Sequence, residues 1–74
     1  MSYRVNVVFR KDEFGYYVTC PELPGCQSQG DTYEEARNNI QEAVELYLET
    51  MTPEEKKDSL NKEILTTTLE VQLA

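Results

Sequence analysis

Between Cys20 and Ala36 the chain reads CPELPGCQSQGDTYEEA, and this stretch limits what the segments on either side can become. Pro21 and Pro24 lack a backbone N–H and fix φ, while Gly25 permits the positive φ that a tight turn often needs. A strand entering at Cys20 cannot run through it. CQSQ offers one more short strand, weak in β-formers and placed at a sheet edge. At GDTYEEA the hydrophobic period becomes that of a helix. Asp31 or Thr32 can cap it, with Glu34 or Glu35 three residues on, and acids in the first turn suit the helix dipole.

The flanks follow from their periods. Tyr3, Val5, Val7 and Phe9 alternate with Arg4, Asn6 and Arg10, Val8 being the exception, which predicts a strand over residues 3–10 with one buried face. KDEFG supplies Asp12 and Gly15 for a turn, and YYVTC resumes with Tyr16, Val18 and Cys20 on one side, completing a hairpin. Beyond the prolines, Tyr33, Ala36, Ile40, Ala43, Val44, Tyr47, Leu48 and Met51 recur at helical steps. Pro53 ends that helix. Residues 52–63 read as an exposed short helix, with Thr52 as cap and Pro53 in its first turn, or as a charged linker. From Ile64 alternation returns, with Leu65, Leu69, Val71 and Leu73 inward and Thr66, Thr68, Glu70 and Gln72 outward.

These elements predict one α+β domain over residues 1–74: a two-layer, four-stranded sheet in the chain order β-β-β-α-β with one long helix on one face. Pairing the last strand parallel to the first, through a right-handed crossover, gives the sheet order 3-2-1-4. The other sheet face would carry Arg4, Asn6, Arg10, Tyr17, Thr19, Thr66, Thr68, Glu70 and Gln72, facing either solvent or a second subunit. A chain this short buries only ~60% of the surface its unfolded form exposes. That limit and the open edge strand predict a homodimer or higher homo-oligomer.

Fourteen acids face seven Lys and Arg with no His, a formal net charge of -7. Such a balance repels phosphate backbones and anionic lipid and favours a basic partner. No apolar run approaches the ~20 residues of a membrane span, and the start MSYRVNVVF has no signal-peptide pattern. The expected location is the cytoplasm, with Cys20 and Cys26 as free thiols.

Catalytic chemistry finds little support. A zinc site wants four ligands, and two cysteines six apart without His fall short. Nucleophilic acyl transfer lacks its usual His base. Neither glycine pattern is a nucleotide loop. Asp12 and Glu13 sit on a hairpin turn, where solvated acids are ordinary. No cofactor or metal is expected.

The charge is concentrated in one place. Residues 31–49 carry Asp31, Glu34, Glu35, Glu42, Glu45 and Glu49 against Arg37 alone, a net of -5. Glu34, Asn38, Glu42, Glu45 and Glu49 fall opposite the apolar stripe and form an acidic wall. It is either a solvated helix face that maintains solubility or a docking surface for a basic partner.

The run DEFGYYVTCPELPGCQSQGDTYEEARNNIQEAVELYLE resembles the core of the HicB-like antitoxin family: an acidic-glycine hairpin, an aromatic-bearing strand, PELPGC, a short strand, GDT-x-EEA and a helix continuing N-x-x-EA. The resemblance covers about half the chain in register. It implies a partial ribonuclease H-like fold used for binding, and a small basic HicA-like toxin, which cleaves mRNA, as the partner to be neutralised. Under it the acidic wall holds the toxin, with Glu34, Glu42, Glu45 and Glu49 as contacts and Glu22 at the turn as a further candidate. Many members continue into a C-terminal DNA-binding domain, whereas this chain stops at Ala74, so direct binding to its own promoter is not expected. A ribonuclease H-like active site needs acids on the first strand, and YRVNVVF has none, so the chain is read as non-enzymatic. The alternative is an orphan HicB-like module that binds other proteins or itself and has no toxin.

Overall fold

The computed structural model describes residues 2–74, in the order β1 (Val8–Asp12), β2 (Gly15–Thr19), β3 (Gln27–Gly30), α1 (Tyr33–Glu49) and α2 (Pro53–Leu60). The strands form an antiparallel meander, β1-β2-β3. Phe9 pairs with Val18, and Val18 with Ser28, so one face collects Phe9, Tyr16 and Val18. On the other face Arg10 pairs with Tyr17, its guanidinium 5.4 Å from the ring centroid. At the hairpin the Phe14 N–H donates to Asp12 Oδ1 at 2.8 Å, a side chain standing in for a backbone turn acceptor.

The PELPG segment folds as two successive turns. The Leu23 N–H donates to the Cys20 carbonyl at 3.1 Å and the Cys26 N–H to the Leu23 carbonyl at 3.0 Å. Pro24 and Gly25 are the central residues of the second turn, and Gly25 has φ +81, as a type II turn requires. The Cys20 N–H then closes on the Cys26 carbonyl at 3.0 Å, returning the chain alongside β2 as β3. Leu23 points inward with no exposed surface.

At the start of α1, Thr32 is the N-cap residue, its hydroxyl accepting the Glu35 N–H at 3.1 Å. Ala36, Ile40 and Val44 are buried, with Ala43, Tyr47, Leu48 and Met51 packed beside them. Gly30 fixes how closely the helix approaches the sheet, because a Cβ there would come within 2.5 Å of the Ala36 amide nitrogen. Two polar ties hold the helix down: Asn39 donates to the Gln29 carbonyl at 2.8 Å, and the Tyr47 hydroxyl to the Pro24 carbonyl at 2.9 Å. Tyr33, half exposed, lays its ring 4.6 Å from that of Phe9. The segment after Thr52 is a helix, with Pro53 in its first turn and a full Thr52–Glu55 capping box.

Two expectations are corrected. The strand read over residues 3–10 is paired only from Val8 onward, because β2 ends at Thr19 and the chain turns away at Pro21, leaving residues 3–7 without a β2 neighbour. The four-stranded sheet in the order 3-2-1-4, with its crossover, is not formed: residues 62–74 carry no sheet pairing. Among the described residues the sheet has three strands, and the partial ribonuclease H-like arrangement inferred with the fourth is not seen. Leu65, Leu69, Val71 and Leu73 are 71–91% exposed, and Thr66, Thr68, Glu70 and Gln72 join no sheet face. Alternation gives a segment the capacity to pair but does not specify the edge it pairs with.

Leu23→Ala is expected to cost about 2–5 kcal/mol in urea denaturation, as for other filled core positions, whereas Leu46→Ala, on an exposed site, should stay within ~0.5 kcal/mol. The buried thiols give a pH signature. Burial raises the pKa of Cys20 and Cys26 above the ordinary 9.0, with Glu22 and then Cys26 adding to the rise at Cys20. The folded chain keeps its thiols protonated to higher pH than the unfolded chain does. Their contribution to stability is therefore present below pH 9.0 and lost as pH climbs through the raised folded values. Denaturation curves above pH 9.0 should show this fall, and it should flatten in the Cys20→Ala/Cys26→Ala variant.

Candidate functional site

The phase of α1 is set at one end by the Thr32 cap and along its length by Ala36, Ile40 and Val44. At 100° per residue this turns Glu34, Glu42, Glu45 and Glu49 away from the sheet, and all four are exposed. From Glu34 to Glu49 the row spans ~22 Å at 1.5 Å per residue. Glu42 and Glu45 are three apart and Glu45 and Glu49 four apart, spacings at which like charges repel by roughly 0.2–0.5 kcal/mol per pair. The last turn of α1 has no basic residue, so Glu49 also opposes the negative end of the helix dipole. A cationic surface laid on this face would relieve both costs.

Glu22 is placed elsewhere. It lies in the first of the two turns, 3% exposed, and its Oε2 accepts the Asn6 backbone N–H at 2.8 Å and the Asn6 amide at 2.9 Å. Its Oε1 takes the Cys20 thiol at 3.9 Å. The carboxylate thus occupies the place of a missing strand partner for residues 3–7 and brings Val5 and Val7 onto the core. The structure gathers Glu34, Glu42, Glu45 and Glu49 on one helix face and gives Glu22 bonds within the fold.

Sequence reading did not find the Glu22–Asn6 pair, the burial of Leu23 or the Tyr47–Pro24 tie. The only signal for them was the double proline, which marks a turn without saying which of its side chains face inward. Asp12 is used in its own hairpin turn. Cys20 and Cys26 are buried free thiols, and among the described residues no group of three or more His, Cys, Asp or Glu comes together to hold a metal. No helix among the described residues is long and apolar enough to cross a membrane.

Glu22→Ala removes the acceptor for two donors on Asn6, a loss of about 1–3 kcal/mol for unsatisfied part-buried groups. Thermal or urea unfolding of that variant should show it, together with faster amide exchange at Asn6. Glu42→Ala, on the exposed face, should leave both unchanged.

Comparison with known proteins agrees with the PELPGC and GDT-x-EEA pattern. The family model described as the HicB-like antitoxin of a bacterial toxin-antitoxin system matches residues 3–72. A UPF0150 protein of Helicobacter pylori is 59% identical over 44 residues, covering 60% of this chain and 61% of the relative. One from Synechocystis is 51% identical over 53 residues, covering 70% and 67%, and one from Thermoplasma acidophilum 46% over 55 residues, covering 73% and 80%. The chain therefore spans about three fifths of the length of the Helicobacter relative and two thirds of that of the Synechocystis one. No solved structure matches significantly. With a family model that takes in both turns, the capped helix and the C-terminal segment, the chain belongs to the HicB-like antitoxin family of bacterial toxin-antitoxin systems.

Proposed function

We propose that this chain, as a single HicB-like domain over residues 1–74, is a non-enzymatic antitoxin that binds and neutralises a small basic HicA-like toxin, an mRNA-cleaving protein. Family membership supports a toxin partner in general. The observation that carries the finer reading is the row of four exposed glutamates on the outer face of α1, within a segment holding -5 of the chain's -7 charge. Such a row speeds encounter with a cationic protein and fixes its register. Docking there would cover the toxin's basic, RNA-facing surface. The same charge disfavours direct binding to nucleic acid or to an anionic membrane. The proposed setting is the cytoplasm, with the chain as a homodimer or higher homo-oligomer.

A second reading, an orphan module that binds itself or another protein and has no toxin, draws on the exposed apolar segment after Leu60. A genome position with no small basic reading frame beside it would favour this reading.

The test of the first reading is calorimetric titration of the toxin with the Glu42→Lys/Glu45→Lys variant. Reversal of two rim charges is expected to weaken binding by about tenfold, with a larger effect at low than at high salt. Unchanged affinity would remove the helix face from the mechanism.

A further inference from the structure

Arg37 is the one cation between Asp31 and Glu49, and it lies off the glutamate row. Arg37, Gln41, Val44 and Leu48 follow one another at steps of four, three and four residues, and so form a strip along one flank of α1. That strip is one side of an open groove of about 830 Å³. Residues 3–7 form the second side, and Leu60 and Lys62, at the end of α2 and just past it, form the third. Ile40 and Val44 are nearly closed off beneath the groove, so its apolar surface comes chiefly from Val5, Val7, Leu48 and Leu60, each half-buried.

The cations of the chain divide by what they touch. Arg10, Lys11 and Lys56 lie 5.4, 5.4 and 5.5 Å from the centres of tyrosine rings. Arg4, Arg37 and Lys62 have no ring, hydrogen-bond or ion-pair partner among the described residues, although the chain carries fourteen acids, and all three line the groove. Of the two acids on the lining, Glu22 is engaged by Asn6, which leaves Glu45 as the exposed one. Three cations against Glu22 and Glu45 give the lining a formal net charge of +1, on a chain of -7. An anion repelled by most of this surface meets three free cations here.

We infer that the groove is a binding site for a small amphipathic monocarboxylate, an acid with one carboxylate head and an apolar body. Arg4 and Arg37 offer the planar forks that take a carboxylate in paired hydrogen bonds, and Lys62 adds a point charge. The body lies against Val5, Val7, Leu48 and Leu60. The groove has the size of small-ligand sites, which run from about 300 to 1,000 Å³ and combine an apolar lining with a few placed polar groups. One negative charge matches the lining, whereas a phosphate dianion would leave excess negative charge beside Glu45. The site is independent of any toxin, since it meets the glutamate row only at Glu45.

The test is titration of the ¹³C,¹⁵N-labelled full chain with sodium decanoate below its micelle concentration, followed by NMR. Saturable shifts are expected at the methyls of Val5, Val7, Leu48 and Leu60 and at the side-chain N–H groups of Arg4 and Arg37. Affinity should rise by up to about fourfold per CH₂ from octanoate to decanoate. It should fall about tenfold in Arg4→Gln/Arg37→Gln, both exposed positions, and 1-octanol should bind about tenfold more weakly than octanoate. Glu45→Gln, which removes the opposing charge and leaves both arginines in place, should tighten binding about twofold. Shifts that do not saturate, or that spread over the whole surface, would overturn the site. Equal binding of 1-octanol and octanoate, unchanged affinity in the double variant, or weaker binding in Glu45→Gln would overturn the carboxylate as its ligand.

Discussion

Everything in this fold is referred to the closed pair of turns between Cys20 and Cys26. Three backbone hydrogen bonds hold them, and Leu23 fills the space beneath. Because the turns are rigid, β3 returns in register beside β2, and Gly30 then brings the chain close enough for α1 to begin against the sheet. The same loop is the anchor for two distant segments. Glu22 holds Asn6 and hence the N-terminal run, and the Pro24 carbonyl receives the Tyr47 hydroxyl from the far end of α1. Seven hydrophobic side chains are buried among the described residues, Cys20, Leu23 and Cys26 of them on this loop, so the domain has few other sources of rigidity.

How much of this was legible depends on the kind of signal involved. The hairpin and the helix are written in local periods, and Ala36, Ile40 and Val44 are buried as their spacing predicts. Caps are equally local, and the choice between Asp31 and Thr32 was settled by which hydroxyl or carboxylate reaches the Glu35 N–H. Glu22 was misleading for a physical reason: a carboxylate between two prolines reads as surface, yet its burial is compensated by two donors that lie sixteen residues earlier. Leu23 lacks a periodic neighbour, so no window identifies it as core. The final segment alternates as a strand does, but its pairing depends on which edge is open and on where the end of α2 directs the chain. Neither is a local property.

Two surfaces of opposite character remain after folding. The outer face of α1 is acidic, self-repelling and opposed to its own helix dipole near Glu49. The C-terminal arm exposes Leu65, Leu69, Val71 and Leu73. They lie on different elements, and contacts made there would rest on different physics, electrostatic steering for the first and apolar burial for the second. High salt would weaken the first and leave the second intact.

The most direct measurement of the central claim is co-expression of this chain with any small basic reading frame encoded beside it, followed by native mass spectrometry of whatever purifies together. The account predicts a complex of defined stoichiometry whose partner stops growth only when this chain is left out. A clean homo-oligomer, with a neighbouring protein that neither binds nor harms the cell, would contradict the antitoxin role and leave the acidic helix face as solvated surface.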